Sequence, residues 1–182
     1  MNEFEKEANI PPEKLLLERA LACVEEGWAV FPVAPNAKTP LTKNGFKDAS
    51  KSADEVRKTF AKRKNPNIGI ATGEVSGLAV IDIDVKKGAP GRESLASNLS
   101  GLPSTLTVDT PSGGWHLYFL YPEGGLRSKN GIFPGIDLKC DGGYVLAAGS
   151  SIDGKFYEYV DPEAPIAALP FRAKGAAGAE WW

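Results

Sequence analysis

Apolar residues recur at helical spacing through Leu16, Ala20, Leu21 and Val24, between Pro11-Pro12-Glu13 and Gly27. Proline suits the first turn of a helix and glycine its end, so this stretch predicts a helix that stops near Gly27. The pattern then shortens. Residues 28–33, Trp-Ala-Val-Phe-Pro-Val, predict a buried strand, and Pro32, Pro35 and Pro40 keep the path to Phe46 irregular. Helical spacing returns at Val56 and Phe60, behind the capping-box sequence Ser52-Ala53-Asp54-Glu55. The outer face of that helix is basic, with Arg57, Lys58, Lys62, Arg63 and Lys64, and its end is expected near Asn65-Pro66.

Residues 68–71 and 78–85 are apolar strand candidates separated by the turn-prone Gly73-Glu74-Val75-Ser76-Gly77. A short helix at 92–98 follows. The pattern is then β-rich, with strands expected at 105–109, 115–121, 136–139, 144–147 and 156–160, broken by Gly and Pro turns. Helices early and strands late predict an α/β or α+β domain, in which an N-terminal helix-strand unit packs on a sheet-rich C-terminal half. Residues 1–172 are expected to form one domain. Residues 173–182, dominated by Ala and Gly, read as a small-residue tail or linker leading to a further region.

Composition constrains function only loosely. A formal net charge of −2 does not mark a nucleic-acid binder by bulk charge, although carboxylates that gather divalent cations conceal positive charge from such a count. Two cysteines, Cys23 and Cys140, lie far apart without metal-ligand spacing, so both are expected to be reduced and buried, with no zinc site and no disulfide framework. The stretch 1–7 is acidic and polar and no apolar run reaches membrane-spanning length, which predicts a cytoplasmic protein without membrane contact.

Chemistry concentrates in three segments. Ala79-Val80-Ile81-Asp82-Ile83-Asp84-Val85 is an apolar strand whose two aspartates share a face, because side chains alternate with period two. Aspartate is depleted in strands and adjacent carboxylates repel, so the pair calls for a hard divalent cation, and removing any one acid is expected to relieve repulsion. His116, the single histidine, follows Ser112-Gly113-Gly114-Trp115 and points opposite Trp115, Leu117 and Phe119. On its own it reads first as a satisfied structural or surface residue, and the Gly-Gly before it, which permits backbone to approach a ligand, moves that reading only part of the way. In Ile136-Asp137-Leu138-Lys139-Cys140-Asp141-Gly142-Gly143-Tyr144, Asp137 and Lys139 share a strand face, Asp141 reads as a turn residue, and Asp-Gly-Gly predicts a hairpin.

Taken together, these segments resemble the prim-pol family, the bifunctional primase-polymerases of phages and plasmids within the archaeo-eukaryotic primase superfamily. Asp82 and Asp84 match its first motif, His116 after Ser-Gly-Gly its second, and Asp137 before Gly-Gly-Tyr its third. Gly27-Trp28-Ala29-Val30-Phe31-Pro32-Val33, Lys38-Thr39-Pro40 and Asn67-Ile68-Gly69-Ile70-Ala71-Thr72-Gly73 also look like that family, over about residues 15 to 170. The chain departs from it at Gly114, where many members carry the serine of Ser-x-His, and in lacking a zinc element.

The resemblance implies a C-terminal RNA-recognition-motif-like sheet with the active site between it and the N-terminal unit. It implies a template-directed nucleotidyltransferase with DNA primase and DNA polymerase activity. Asp82, Asp84 and Asp137 would bind two Mg²⁺ or Mn²⁺ ions and carry catalysis. His116, Lys139, Ser112, Gly113 and Gly114 would bind the incoming nucleotide, the two glycines by leaving room for it. Lys38, Lys43 and Lys47 are weaker candidates for phosphate contact, and the basic helix face for template contact. Implied partners are a single-stranded DNA template, nucleoside triphosphates and a primer, with a helicase domain in a longer parent protein and a host-cell cytoplasmic location if phage-encoded. Two other readings compete: an Asp-x-Asp glycosyltransferase, and a nucleic-acid-binding module that kept a primase fold and lost catalysis.

Overall fold

The computed structural model describes residues 12–174 and 178–181, so the acidic stretch 1–7, Pro11 and Trp182 lie outside it. Helix α1, Pro12–Glu25, ends as the sequence predicts: Gly27 has φ 82°, its N–H bonds the Val24 carbonyl, and the Trp28 N–H reaches back to Cys23. Those paired bonds satisfy the last carbonyls of the helix and need the left-handed conformation that glycine adopts cheaply. Helix α2, Ala53–Ala61, is capped by the Ser52 hydroxyl, which accepts from the Glu55 N–H. The reciprocal half of the capping box does not form. The Glu55 carboxylate accepts instead from the Ser50 hydroxyl, and that same hydroxyl accepts from the Ser52 N–H.

A three-stranded antiparallel sheet runs in the order β1 (Val30–Val33), β2 (Asn67–Ala71), β8 (Tyr144–Leu146). Both α1 and α2 pack against it. The larger sheet contains β3 (Leu78–Ile83), β4 (Thr107–Asp109), β5 (Trp115–Leu120), β6 (Lys129–Phe133), β7 (Ile136–Lys139) and β11 (Glu158–Tyr159) in the order β11-β4-β5-β3-β7-β6. β12 (Ala167–Ala168) adds parallel to the end of β5, beyond the reach of β4. Helix α3, Gly91–Asn98, packs against β3, β6 and β7. The chain is therefore an α+β protein. Its antiparallel order β4-β5-β3-β7, with α3 crossing between β3 and β4, is that of the four strands of a split β-α-β-β-α-β unit; β6 occupies the connection where that unit's second helix would stand.

Period two splits β3 between two cores. Leu78 and Val80 join Val108, Tyr118, Val30, Ile68 and the helical residues Ala20, Val56 and Phe60 on one side. Ala79, Ile81 and Ile83 join Phe119, Ile136, Leu138 and Leu99 on the other, under α3. Both cysteines are buried and free, as expected, and burial pushes the Cys23 and Cys140 thiols up to about 12.

Two expectations need correction. Asp141-Gly142-Gly143 turns the chain, with φ 80° at Gly142, but β7 and β8 do not pair as a hairpin. β7 stays in the large sheet while β8 joins β2, because the Thr72 N–H bonds the Gly143 carbonyl and the Thr72 hydroxyl bonds that of Cys140. The strand expected at 156–160 is broken at Tyr157, whose N–H bonds Ser150 and whose side chain is buried. The flanking pieces go separate ways: β10 (Lys155–Phe156) pairs with β9 (Ser151–Ile152), and β11 pairs with β4. Beyond them, β13 (Phe171–Lys174) and β14 (Gly178–Trp181) pair as a two-stranded hairpin.

Candidate active site

The acids sit on β3 and β7, neighbours in the centre of the large sheet. In the β3–β5 register Asp82 faces His116, and in the β3–β7 register it faces Asp137, so the three side chains form one row across three strands. Asp84 lies two residues along β3 past Asp82, just beyond the strand's end, and its N–H is fixed on the Gly135 carbonyl at 2.8 Å. Lys139 lies two residues along β7 from Asp137. All five line a cavity of about 600 Å³, together with Lys38, Lys86, Ser112, Thr110 and Ser128. Phe46 from the N-terminal segment and Tyr144 from β8 close its other side, so the cavity lies between the two sheets.

Each carboxylate has its own environment. The two Asp84 oxygens take the Lys86 N–H at 2.9 Å and the Lys86 ammonium at 3.1 Å. Burial alone would raise the Asp84 carboxyl, but those contacts and the charges of Lys86 and Lys38 outweigh it and hold it below the ordinary range. Asp137 accepts from the Gly131 N–H at 2.7 Å and from the Lys139 ammonium at 2.8 Å, and Asn130 accepts from that ammonium as well. Among the described residues Asp82 pairs with no lysine; its ionisable contact is His116 Nε2, 3.6 Å from Oδ1.

His116 is 3 % exposed and packs 5.4 Å from the Tyr157 ring. Burial lowers its pKa; Asp82 opposes that shift, while the positive charges of Lys38 and Lys139 add to it. The ring is therefore neutral near pH 7, and the Leu146 backbone beside it works against the lowering; among the described residues its buried Nδ1 has no partner at full hydrogen-bond geometry.

The oxygen-only donor set of Asp82, Asp84 and Asp137 suits hard divalent cations. As the side chains stand, Asp84 is turned onto Lys86 and Asp137 onto Lys139. Among the described residues no group of three or more His, Cys, Asp or Glu is gathered closely enough to hold a metal ion. Lysine ammoniums thus supply the positive charge that the acidic row requires.

The remaining expected site residues divide. Ser112 lines the cavity, with its hydroxyl 3.1 Å from that of Thr110. Gly113, at φ 83°, turns the chain and opens onto a shallow depression beside the cavity. Gly114 leaves no room for a ligand: a Cβ there would stand 2.0 Å from the Ile83 carbonyl, so the glycine is needed for β5 to approach β3. Lys38 reaches the cavity, its carbonyl held by the Tyr144 hydroxyl at 2.6 Å, whereas Lys43 and Lys47 do not line it. Asp141, read as a turn residue, takes the Glu74 N–H and the Tyr121 hydroxyl and ties the crossovers between sheets.

Sequence reasoning missed Phe46, Lys86, Thr110, Ser128, Asn130 and Tyr144, which lie on loops or irregular strands; only Tyr144, next to Gly-Gly, carried a signal. A larger groove of about 1710 Å³, between α1 and the segment 148–166, is lined by none of the predicted site residues.

A family model described as bifunctional DNA primase/polymerase, N-terminal (Prim-Pol), matches residues 20–171. No curated protein matches the chain.

Proposed function

The chain belongs to the bifunctional DNA primase/polymerase family, and from that membership we propose that it is a template-directed nucleotidyltransferase whose active site is the cavity holding Asp82, Asp84 and Asp137. The observation that carries this reading is the row His116–Asp82–Asp137 across β5, β3 and β7. It puts a nucleotide-contacting candidate and two acids of the family's motifs on one cavity wall.

The reaction joins a primer 3′-oxygen to the α-phosphorus of a nucleoside triphosphate and breaks the bond to the leaving pyrophosphate. The family generally uses divalent metals, and here Asp82, Asp84 and Asp137 would hold Mg²⁺ or Mn²⁺, with no part for zinc. Such ions, when bound, polarise the phosphate oxygens and neutralise charge on the departing pyrophosphate. Lys38, Lys86 and Lys139 bring ammonium groups to the same cavity, and the triphosphate oxygens are the anions they fit. The neutral His116 is the ring in the cavity wall that would contact the nucleotide, and Ser112 offers a hydroxyl in the same cavity. Asp137 orients Lys139, and Tyr144 orients the backbone at Lys38. Template, primer and incoming triphosphate are the partners this chemistry needs; a phage or plasmid replication protein carrying a helicase elsewhere is the context proposed for it.

Incubation with a primed and an unprimed single-stranded template, labelled nucleotides and Mn²⁺ tests the reading. Extension that Asp82→Ala abolishes supports it. Undetectable incorporation by the wild-type chain on both templates overturns it, and sugar transfer from a nucleotide sugar would favour the glycosyltransferase alternative.

A further inference from the structure

Positive charge is segregated in this acidic chain. Residues 41–65 hold eight Lys and Arg against three Asp and Glu, an excess of five positive charges, whereas the whole chain has a formal net charge of −2. The fold brings this segment together as one surface. Residues 41–50 run back along β1, with bridges Val33–Pro40 and Val30–Ser50, and α2 then returns beside them. The two are laced at both ends: Ser50 to Glu55 at one, and the Arg63 guanidinium to the Leu41 carbonyl at 3.0 Å at the other.

Val56 and Phe60 are the buried residues of α2, which leaves Arg57, Lys58, Lys62 and Lys64 exposed, and Lys43 and Lys47 exposed on the neighbouring segment. Among the described residues none of these six forms an ion pair. The surface reaches the acidic cavity directly, because Phe46, in the short 3₁₀ turn Gly45–Asp48 between Lys43 and Lys47, lines that cavity and stacks on Tyr144 at 6.1 Å.

We infer that the surface of α2 and residues 41–50 is a track for the phosphate backbone of single-stranded nucleic acid, leading past Phe46 to the acidic row. The choice of partner rests on the polymerase reading of the cavity. Exposed cations without acidic partners bind a strand by releasing its counterions, and each neutralised phosphate steepens the dependence of affinity on salt. Sequence-independent contact of this kind suits an enzyme that must accept any template.

The test is fluorescence anisotropy with a labelled oligothymidylate, titrated at salt concentrations from about 50 to 200 mM. One variant carries Arg57→Gln, Lys58→Gln and Lys62→Gln, since glutamine keeps the helix propensity of the residues it replaces; a second carries Lys43→Gln and Lys47→Gln. The triple variant is expected to bind about tenfold more weakly and to flatten the log–log salt slope by about 2, at ~0.7 for each lost contact to a single strand. The double variant is expected to lose about two-thirds as much slope, at the same ~0.7 for each contact, and circular dichroism should be unchanged for both. Wild-type affinity and slope in both variants overturn the track. Primer extension in parallel separates the two readings. A wild-type chain that extends primers while the slopes stay unchanged sinks the track alone, and flattened slopes with no incorporation by the wild type leave the track standing and sink the polymerase assignment.

Discussion

Asp82 and Asp137 are direct cross-strand partners, each with its side chain on the cavity wall, yet only Asp137 has a lysine bound to it. Like charges opposed across a sheet are destabilising, so the three acids differ in what their removal does to the fold. With these environments, relief of repulsion is expected for Asp82 alone and not for each of the three. Asp82→Ala is expected to gain about 0.5 kcal/mol in metal-free buffer. Asp137→Ala, which frees the exposed Gly131 N–H and leaves the Lys139 ammonium on Asn130 alone, is expected to lose about 1 kcal/mol. Urea denaturation with a chelator present measures both, and equal effects of the two substitutions refute the difference in environment.

Divalent cation binding has a readout that does not depend on turnover. A ligand that binds the native state and not the unfolded chain raises the melting temperature with its concentration. Mn²⁺ is expected to raise Tm of the wild-type chain and of Lys43→Gln/Lys47→Gln, but not of Asp82→Ala or Asp84→Ala. A rise that survives both aspartate substitutions places the ion elsewhere.

His116 makes stability depend on pH. Burial depresses its pKa, so the native state keeps the ring neutral while the unfolded chain, near the ordinary value of about 6.5, takes up a proton. Stability from this group is complete above that pH and is lost as pH falls toward the depressed native value, with a slope of at most ~1.4 kcal/mol per pH unit. His116→Asn is expected to flatten the profile below pH ~6.5 and to weaken nucleotide binding by calorimetry. An unchanged profile together with unchanged nucleotide affinity leaves His116 no role at the cavity.

The two glycines before His116 should behave differently. Gly114→Ala drives a methyl into the Ile83 carbonyl and is expected to cost about 3 kcal/mol through separation of β3 from β5. Gly113→Ala meets nothing closer than Val85 at 3.8 Å and carries mainly the penalty of its positive φ, about 1 kcal/mol. Thermal unfolding of the pair checks the order, and a larger loss at 113 contradicts the close-packing account.

Period-two alternation was enough to put Asp82, His116, Asp137 and Lys139 on chosen strand faces, and those faces meet in one cavity that Asp84, just past the end of β3, also lines. What alternation cannot supply is strand order. That β3 lies between β5 and β7, and so brings His116 and Asp137 to either side of Asp82, depends on pairings distant in sequence. Local turn chemistry misled at Asp141-Gly142-Gly143, because the tight turn is real but the partners of Tyr144, Val145 and Leu146 lie far upstream in β2, at Ala71, Ile70 and Gly69. β6 was illegible for another reason: Lys129-Asn130-Gly131 is exposed and polar, and its register with β7 shifts between Lys129 and Phe133. Ser128 and Asn130 went unseen with it.

β8 lies late in the chain but completes the sheet that β1 and β2 begin. During synthesis, then, the helical N-terminal third leaves the ribosome with the β8-side edge of β2 unpaired and waits for residues 144–146 before that edge is covered. Contacts across such long stretches of chain must close against loop entropy, which slows folding and lengthens the time a bare strand edge is open to other chains. Expressed alone, residues 1–140 would keep that edge permanently, so dissecting this protein by truncation from its C-terminus would yield an aggregation-prone fragment and not a smaller working unit.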